Sequence, residues 1–239
     1  MSERRPQETQ EAYVLHGHPY RESSLLVEVF TRRFGRMSMV ARGARRPRSA
    51  LRGALLAFQR LQLSWYGRGE VRTLARAEWL GGQKLLAGEA LLCGYYLNEL
   101  LLRLLAREDP HEGLFDCYQR ALQGLSAGTE SAPVLRAFEK ALLKELGYAM
   151  PLERDAQRGG GIDPDKTYTY DPERGPIEAA GGQTGLQLAG STLLAIARDD
   201  YRDAQTQHEA KLLMRMLINH RLDYQPLRSR RIFKELMEL

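Results

Sequence analysis

The hydrophobic periodicity of this sequence changes once, near residue 80, and the change divides the chain into a β-type part and an α-type part. Before it, apolar and polar residues alternate in short runs. Phe34-Gly35 and Gly67-Arg68-Gly69 lie between such runs and predict tight turns. After residue 82, apolar residues recur every three to four positions, which is typical of helices. Five strands are predicted, over residues 11–20, 23–33, 35–43, 57–67 and 70–79.

A short helical run, residues 48–56, lies between the third and fourth predicted strands. Five strands with a helix in that place are the layout of the OB-fold, a small barrel that binds oligonucleotides. We therefore predict an α+β protein with a five-stranded OB-fold domain over residues 1–80. Periodicity alone leaves a second interpretation open, because SH3-like barrels have a similar pattern of strands.

The rest of the chain, residues 81–239, is predicted to form an all-helical domain. Gly147 follows the last apolar position of one amphipathic run and suits a helix C-terminus, where glycine adopts the left-handed conformation. Residues 148–185 are rich in Gly, Pro and Asp, and predict an irregular insertion with at most a small hairpin around "KTYTYD". Helices are predicted over residues 83–106, 113–125, 132–148, 186–198, 205–222 and 225–239.

Positive charge is concentrated in the β-type part. Residues 1–80 hold 15 arginines and 7 acidic residues, a net charge of +8, whereas residues 81–239 carry a net charge of −3. Between Val29 and Gly69 there are ten arginines and no Asp or Glu. Protein surfaces usually intersperse both signs, because like charges repel. The pattern favours a polyanion site over the alternative of a basic solvated face.

Arginine suits phosphate, because its guanidinium donates two parallel hydrogen bonds. Arginines along a barrel bind nucleic acid in a salt-sensitive way, and exposed aromatic rings add stacking with bases. Tyr20 and Tyr66, at strand ends, are the stacking candidates, whereas Phe34 and Trp65 are expected to pack in the core or at its rim. An OB-fold module that binds RNA or acts in translation has the same electrostatics and is the alternative function. The predicted DNA-binding residues are Arg33, Arg36, Arg42, Arg45, Arg46, Arg48, Arg52, Arg68, Tyr20 and Tyr66.

Motifs for catalysis are absent from the sequence. It contains no phosphate-binding loop, dinucleotide fingerprint, H-E-x-x-H or G-x-S-x-G. His16 and His18 share a strand face but have no third ligand nearby in the sequence. Cys93 and Cys117 cannot form a disulfide framework or a four-thiolate zinc site. We expect no enzyme activity, metal or other cofactor, and the lack of a signal or membrane segment predicts a cytoplasmic protein.

Five stretches are characteristic when they are taken together and in order. They are "AYVLHGHPYRESSLLVEVFTRRFGRMSMVARGARRPRSALRGALLAFQ", "GRGEVRTLARAE", "YYLNELLLRLL", "LRAFEKALLKELGY" and "PLRSRRIF". They cover most of the chain and closely resemble the RecO family of bacterial DNA repair proteins. The resemblance implies an N-terminal OB-fold and a helical C-terminal domain. It also implies a nucleoid-associated protein that binds single- and double-stranded DNA, anneals complementary strands and, with RecR, loads RecA onto DNA coated by single-strand binding protein (SSB).

The resemblance further implies a peptide site in the helical domain. In RecO proteins of the enterobacterial type, this domain binds the acidic, Phe-ended C-terminal tail of SSB. The family's tail-binding arginine corresponds to Arg136 of "LRAFE". We infer that Leu135, Phe138 and Leu142 form the apolar side of this site. Arg136 and Lys140 also belong to a basic stripe along the predicted helix, which suits an acidic peptide.

The insertion departs from the family pattern. Many RecO proteins carry a four-cysteine zinc cluster in the loop after "LGY", but residues 148–185 contain no cysteine in this chain. We therefore expect no zinc there. We expect the insertion to be held instead by Tyr168 and Tyr170, packing inward.

Overall fold

The first five strands of the protein close into a barrel. The computed structural model describes residues 9–148, 150–180 and 185–237, with only the backbone of residues 234, 236 and 237. The elements are β1 (Gln10–Tyr20), β2 (Ser24–Thr31), β3 (Gly35–Ala41), α1 (Ala50–Ala54), β4 (Leu61–Tyr66) and β5 (Val71–Trp79). The strand order is β1-β2-β3-β5-β4, with β3 and β5 parallel and the other pairs antiparallel. The predicted OB-fold is confirmed.

Residues that alternate along the strands fill the barrel interior. Met37 and Met39 of β3 and Leu63 and Trp65 of β4 are buried there, because side chains two residues apart point to the same face of a strand. Phe34 meets Trp65 edge-on, with ring centroids 5.3 Å apart. Trp65 is therefore a core residue and Phe34 packs at the rim, as predicted.

In the described part of the chain, six helices and a small sheet follow the barrel. None of the helices in the described ranges is long and apolar enough to cross a membrane. The helix predicted from residue 83 begins only at residue 88, because Gly81 and Gly82 adopt positive φ and lead into an extended linker. The elements are α2 (Gly88–Leu104), α3 (Glu112–Ser126), α4 (Ser131–Glu145), β6 (Thr167–Asp171), β7 (Gly175–Glu178), β8 (Gln187–Ala189), α5 (Gly190–Ala197), α6 (Ala204–Arg221) and α7 (Arg228–Met237).

Helices α2 and α3 cover an apolar outer face of β1 and β2. The Phe115 ring of α3 lies 5.5 Å from the Tyr13 ring and 5.4 Å from the Phe30 ring, between centroids. The buried Asn98 of α2 donates a hydrogen bond from Nδ2 to the Leu15 carbonyl oxygen, 2.8 Å away. A second apolar layer, distinct from the barrel interior, therefore joins the barrel to these helices.

The chain divides into two compact units. The first contains the barrel, α2 and α3, and takes in α7 from Leu227 onward; the second is Glu130–Pro226. The change of periodicity near residue 80 marks the end of the barrel at Trp79. The boundary between the two units instead lies between Thr129 and Glu130, because α2 and α3 pack against the barrel and belong to its unit.

The second unit contains the cysteine-free insertion, whose strands form a sheet in the order β7-β6-β8. Tyr168 and Tyr170 of β6 are buried, as predicted. The Asp155 carboxylate accepts hydrogen bonds from three backbone N–H groups, those of Gln157, Arg158 and Glu178, at 2.7–2.8 Å. Asp155 therefore joins the start of the insertion to β7.

Asp155→Asn is expected to lower the melting temperature at pH 7 by about 3 °C, because it removes the charge from these hydrogen bonds. Burial raises the pKa of Asp155, but the three backbone donors outweigh it and hold the pKa below its usual value. A lowered folded-state pKa stabilises the protein above about pH 4, and this stabilisation disappears as pH falls through the folded pKa. Calorimetry should therefore show the difference shrinking below about pH 4. The exposed Asp165→Asn is the control; a difference that is undiminished at pH 3 would refute the role of the charge.

Candidate nucleic-acid interface

The densest run of arginines lies at one end of β3, on the loop that leads to α1. Within the described ranges, these side chains are exposed and none forms an ion pair within 4.0 Å of a carboxylate. We call this group the arginine loop. Its members are Arg42, Arg45, Arg46, Arg48 and, on α1, Arg52.

The arginine loop is anchored to the turn between β1 and β2. The Arg45 backbone N–H donates to the Ser23 carbonyl oxygen at 2.9 Å, and its Nη1 donates to the Arg21 carbonyl oxygen at 3.3 Å. The half-buried Tyr20 ends β1 beside this turn, and the Arg21 guanidinium lies 5.3 Å from its ring centroid. Tyr20 therefore lies at the same end of the barrel as the loop. Arg21 is an exposed cation that our sequence analysis missed, although it directly follows Tyr20.

Two other predicted residues, Arg33 and Arg68, lie toward the opposite end of β3. Arg33 is exposed in the β2–β3 turn, and Arg68 is exposed at the tip of the β4–β5 hairpin, with the half-buried Tyr66 at its base. The seven residues of β3 span about 20 Å at a rise of about 3.3 Å per residue. The predicted residues thus form two groups, of which the arginine loop is the larger.

Other arginines of the barrel are paired with carboxylates. Arg36, predicted to bind DNA, is half-buried with Nη1 3.5 Å from Glu28, and burial lowers the pKa of its guanidinium. A hydrogen bond to Asp116 raises the pKa of Arg32. The structure therefore places Arg36 among these ion pairs and apart from the exposed arginines. The further pairs are Arg32–Asp116 at 2.7 Å, Arg60–Glu11 at 2.5 Å and Arg72–Glu108 at 2.6 Å.

The outer face of β2 and β3, which many OB-folds use for oligonucleotides, is covered here around Glu28 and Gly35. The buried Glu28 accepts a hydrogen bond from Ser38 Oγ at 2.5 Å and pairs with Arg107 at 2.9 Å. At Gly35, where φ is +64°, an added Cβ would overlap the backbone of Asp109. Only glycine fits this approach. The covered face leaves the ends of the barrel as the accessible basic surface.

His16 and His18 stack edge-on, with ring centroids 4.1 Å apart. Burial lowers the pKa of His16, and the neighbouring His18 lowers it further. Among the described residues, no group of three or more His, Cys, Asp or Glu side chains is arranged to hold a metal ion. The histidine pair therefore lacks the further ligand that a metal site needs.

Residues 1–83 match the family described as Recombination protein O N terminal, and residues 85–231 match Recombination protein O C terminal. The chain is 53% identical over 240 residues to the DNA repair protein RecO of Aromatoleum aromaticum, covering 100% of both chains. The chain belongs to the RecO family. It is also 55% identical over 236 residues to RecO of Dechloromonas aromatica, covering 97% of each chain. Against RecO of Nitrosospira multiformis it is 52% identical over 235 residues, covering 98% of this chain and 97% of the relative.

In this member of the RecO family, the residues predicted to bind the SSB tail are not gathered on a surface. Phe138 and Leu142 of α4 are completely buried in the core, and Leu135 is half-buried. Arg136 is 8% exposed and pairs through Nε and Nη2 with both carboxylate oxygens of Glu139, each at 2.8 Å. Phe138 and Leu142 could contact a peptide only if the core opened.

The remaining predicted residue of this set, Lys140, caps the end of α5. Its Nζ lies 2.5 Å from Asp199 Oδ1 and donates to the carbonyl oxygens of Ile196 and Ala197 at 2.9 and 3.2 Å. A cation stabilises the C-terminus of a helix, where carbonyl groups lack partners. Lys140 therefore has a structural role in this RecO chain.

An open cleft of about 660 Å³ lies beside these residues in the second unit. Burial raises the pKa of the Tyr201 phenol, Asp199 raises it further, and Arg136 and Glu139 are close enough to contribute smaller, opposing effects. The Tyr201 hydroxyl donates a hydrogen bond to Asp199 Oδ1 at 3.3 Å, so both residues are held in the lining of the cleft. No motif in the sequence indicated this cleft. Its lining carries three carboxylates and two guanidinium groups, and Arg202 pairs with Asp200 at 2.5 Å. The lining residues are Glu130, Pro133, Arg198, Asp199, Asp200, Tyr201, Arg202 and Gln207.

Proposed function

We propose that this RecO family member acts in DNA repair and recombination by binding single- and double-stranded DNA through the arginine loop. The supporting observation is the group of five exposed arginines without a carboxylate partner among the described residues. Guanidinium groups bind phosphate oxygens bidentately and release condensed counterions. Such contacts do not depend on base sequence, which suits a protein that acts at any site of damage.

Strand annealing follows from the same electrostatics. Two complementary strands repel each other through their phosphates, and a protein that neutralises both strands lowers this repulsion. No bond is made or broken in the protein or the DNA, so we propose a role without enzyme activity or cofactor. The partners implied by the family are RecR, SSB and, indirectly, RecA.

The proposal is tested by fluorescence anisotropy of a labelled oligo-dT over a salt titration. A steep linear fall of log affinity with log salt is expected, with a slope of about −0.7 for each phosphate contact. An RNA oligonucleotide of matched length and sequence is measured in parallel. Tighter binding of RNA at equal salt would instead favour the RNA-binding alternative.

We further propose that the acidic SSB tail binds in the cleft of the second unit. The exposed Arg198 suits an acidic residue of the tail, whereas Arg202 is already paired with Asp200 at 2.5 Å. Pro133 and the largely buried Tyr201 provide the apolar lining for the terminal Phe. Arg136 contributes through the stability of the second unit, because it is the charged partner of the buried Glu139 carboxylate. The cleft thus replaces the buried Phe138 and Leu142 as the apolar side of the site.

Arg198→Glu is expected to weaken binding of a labelled acidic, Phe-ended peptide about five- to tenfold, because it replaces an attractive charge with a repulsive one at the surface. The measurement is anisotropy of the peptide, and Arg215→Glu on the exposed side of α6 is the matched control. A peptide without the terminal Phe should bind weakly to wild type, to Arg198→Glu and to Arg215→Glu alike. Equal binding by wild type and Arg198→Glu would contradict the cleft as the site.

A further inference from the structure

Large apolar side chains are exposed in the first unit around the end of β5 and the segments that flank it. Trp79 is 61% exposed and Tyr95, on α2, is 48% exposed. Exposed apolar patches of this kind usually mark interaction sites. We call the group the Trp79 surface; its members are Leu56, Trp79, Leu80, Leu85 and Tyr95.

The two aromatic rings of the Trp79 surface are held in place. Trp79 Nε1 donates a hydrogen bond to Oε1 of the buried Gln59 at 3.0 Å. Tyr95 meets Phe58 edge-on, with centroids 5.1 Å apart, and the Phe58 carbonyl oxygen accepts a hydrogen bond from Gln83 at 2.9 Å. Because Phe58 and Gln59 are adjacent, both exposed rings are supported by the same turn. Their orientation is therefore set before any ligand binds.

The Trp79 surface and the arginine loop are linked through helix α1. Helix α1 carries Arg52 and packs against β5, the strand that Trp79 ends. Only six residues separate Arg52 from Gln59, which supports the Trp79 ring. Lys84 adds an exposed cation in the linker that follows Trp79. The first unit thus contains the cationic and the aromatic groups, on segments that α1 and β5 link.

We infer that Trp79 and Tyr95 form a stacking platform for unpaired bases of a DNA strand whose phosphates are bound by the arginine loop. The inference rests on the proposed function. Single-strand binding sites combine a cationic track for the backbone with aromatic rings for the bases. The exposed leucines border the rings and exclude water from the stacked bases. A platform of this kind binds single strands in preference to duplexes, because paired bases in a duplex cannot stack on it.

The chain provides its own probe for this platform. It has two tryptophans, of which Trp65 is 1% exposed in the barrel core and Trp79 is the exposed one. A dT oligonucleotide that stacks on Trp79 should quench the fluorescence of this tryptophan. It should also shield the indole ring from collisional quenching by iodide. An abasic oligonucleotide of equal length carries the same phosphates without bases. It should bind with little quenching.

Trp79→Ala is expected to weaken dT binding about tenfold while leaving binding of the abasic oligonucleotide unchanged. Tyr95→Ala should act in the same direction, and Tyr224→Ala, at an exposed tyrosine of the second unit, is the matched control. Equal dT binding by wild type and Trp79→Ala, without quenching, would overturn the platform while leaving the arginine loop intact. A change of oligomeric state in Trp79→Ala, without a change in DNA binding, would also overturn it, by assigning the surface to a second copy of the chain. Failure of wild type to bind either oligonucleotide would instead refute the proposed function.

Discussion

Arg45→Glu combined with Arg46→Glu is expected to weaken binding of single-stranded oligo-dT by roughly 10- to 100-fold at low salt. Both side chains are exposed in the arginine loop, so their reversal removes two phosphate contacts and adds repulsion. Loss of two contacts should also reduce the slope of log affinity against log salt by about 1.4. Anisotropy of labelled oligo-dT over a salt titration measures both quantities. The fold should be unaffected, because neither guanidinium has an ion-pair partner among the described residues and Arg45 loses only long, exposed hydrogen bonds to carbonyl oxygens. The backbone bond from Arg45 to Ser23 remains.

The matched control is Lys211→Glu combined with Arg215→Glu. These exposed cations of α6 give the same change in net charge but lie in the second unit. Equal affinity losses in the two double variants would show that overall charge, and not the arginine loop, governs binding. An unaltered slope in the Arg45 and Arg46 variant would move the DNA site elsewhere. The next candidates would be Arg228, Arg230 and Arg231 of α7; the Lys234 side chain of the same helix lies outside the described residues.

Arg136→Ala is expected to lower the free energy of unfolding of the second unit by about 3–5 kcal/mol. Glu139 is 1% exposed, so removal of Arg136 leaves a carboxylate buried without its charged partner. Urea unfolding followed by circular dichroism measures the loss. Weaker binding of the acidic peptide by this variant would not by itself identify Arg136 as a contact residue, because the cleft would be destabilised with it.

A paired substitution distinguishes these effects. Arg136→Leu with Glu139→Leu removes both charges and should recover most of the lost stability, because an apolar pair of similar volume often replaces a buried ion pair without cost. Binding of oligo-dT should match wild type in both variants. If the double variant were as unstable as Arg136→Ala, the buried charge would not be the cause. If it were stable but unable to bind the peptide, Arg136 would contact the tail directly.

Local patterns along the chain were sufficient to predict the barrel. Alternation placed Leu63 and Trp65 inward, Phe34-Gly35 predicted the β2–β3 turn, and the helical run after β3 is α1. These features depend on backbone geometry and the burial of side chains two residues apart, which act over a few residues. The five stretches that resemble RecO carried the family prediction. The linker before α2 was misread as helix because its apolar residues follow a helical spacing in spite of Gly81 and Gly82.

Charge along the sequence was a less complete guide to the site. Val29 to Gly69 contains no acidic residue, yet Arg32, Arg36 and Arg60 are neutralised by carboxylates outside this stretch. Such pairs form between residues distant in sequence, so no local pattern reports them. The same holds for α4, where the helical stripe was visible but the burial of Arg136 against Glu139 was not.

The sequence by itself determined the barrel, the helices and the excess of arginine, because periodicity and composition are local properties. Only the tertiary structure decided which arginines remain exposed and that the outer face of β2 and β3 is covered. It also decided that Trp79 is displayed while Trp65 is buried, although both lie in strands. Exposure and ion pairing depend on which distant segments come to lie against each residue, and that is settled only when the whole chain packs.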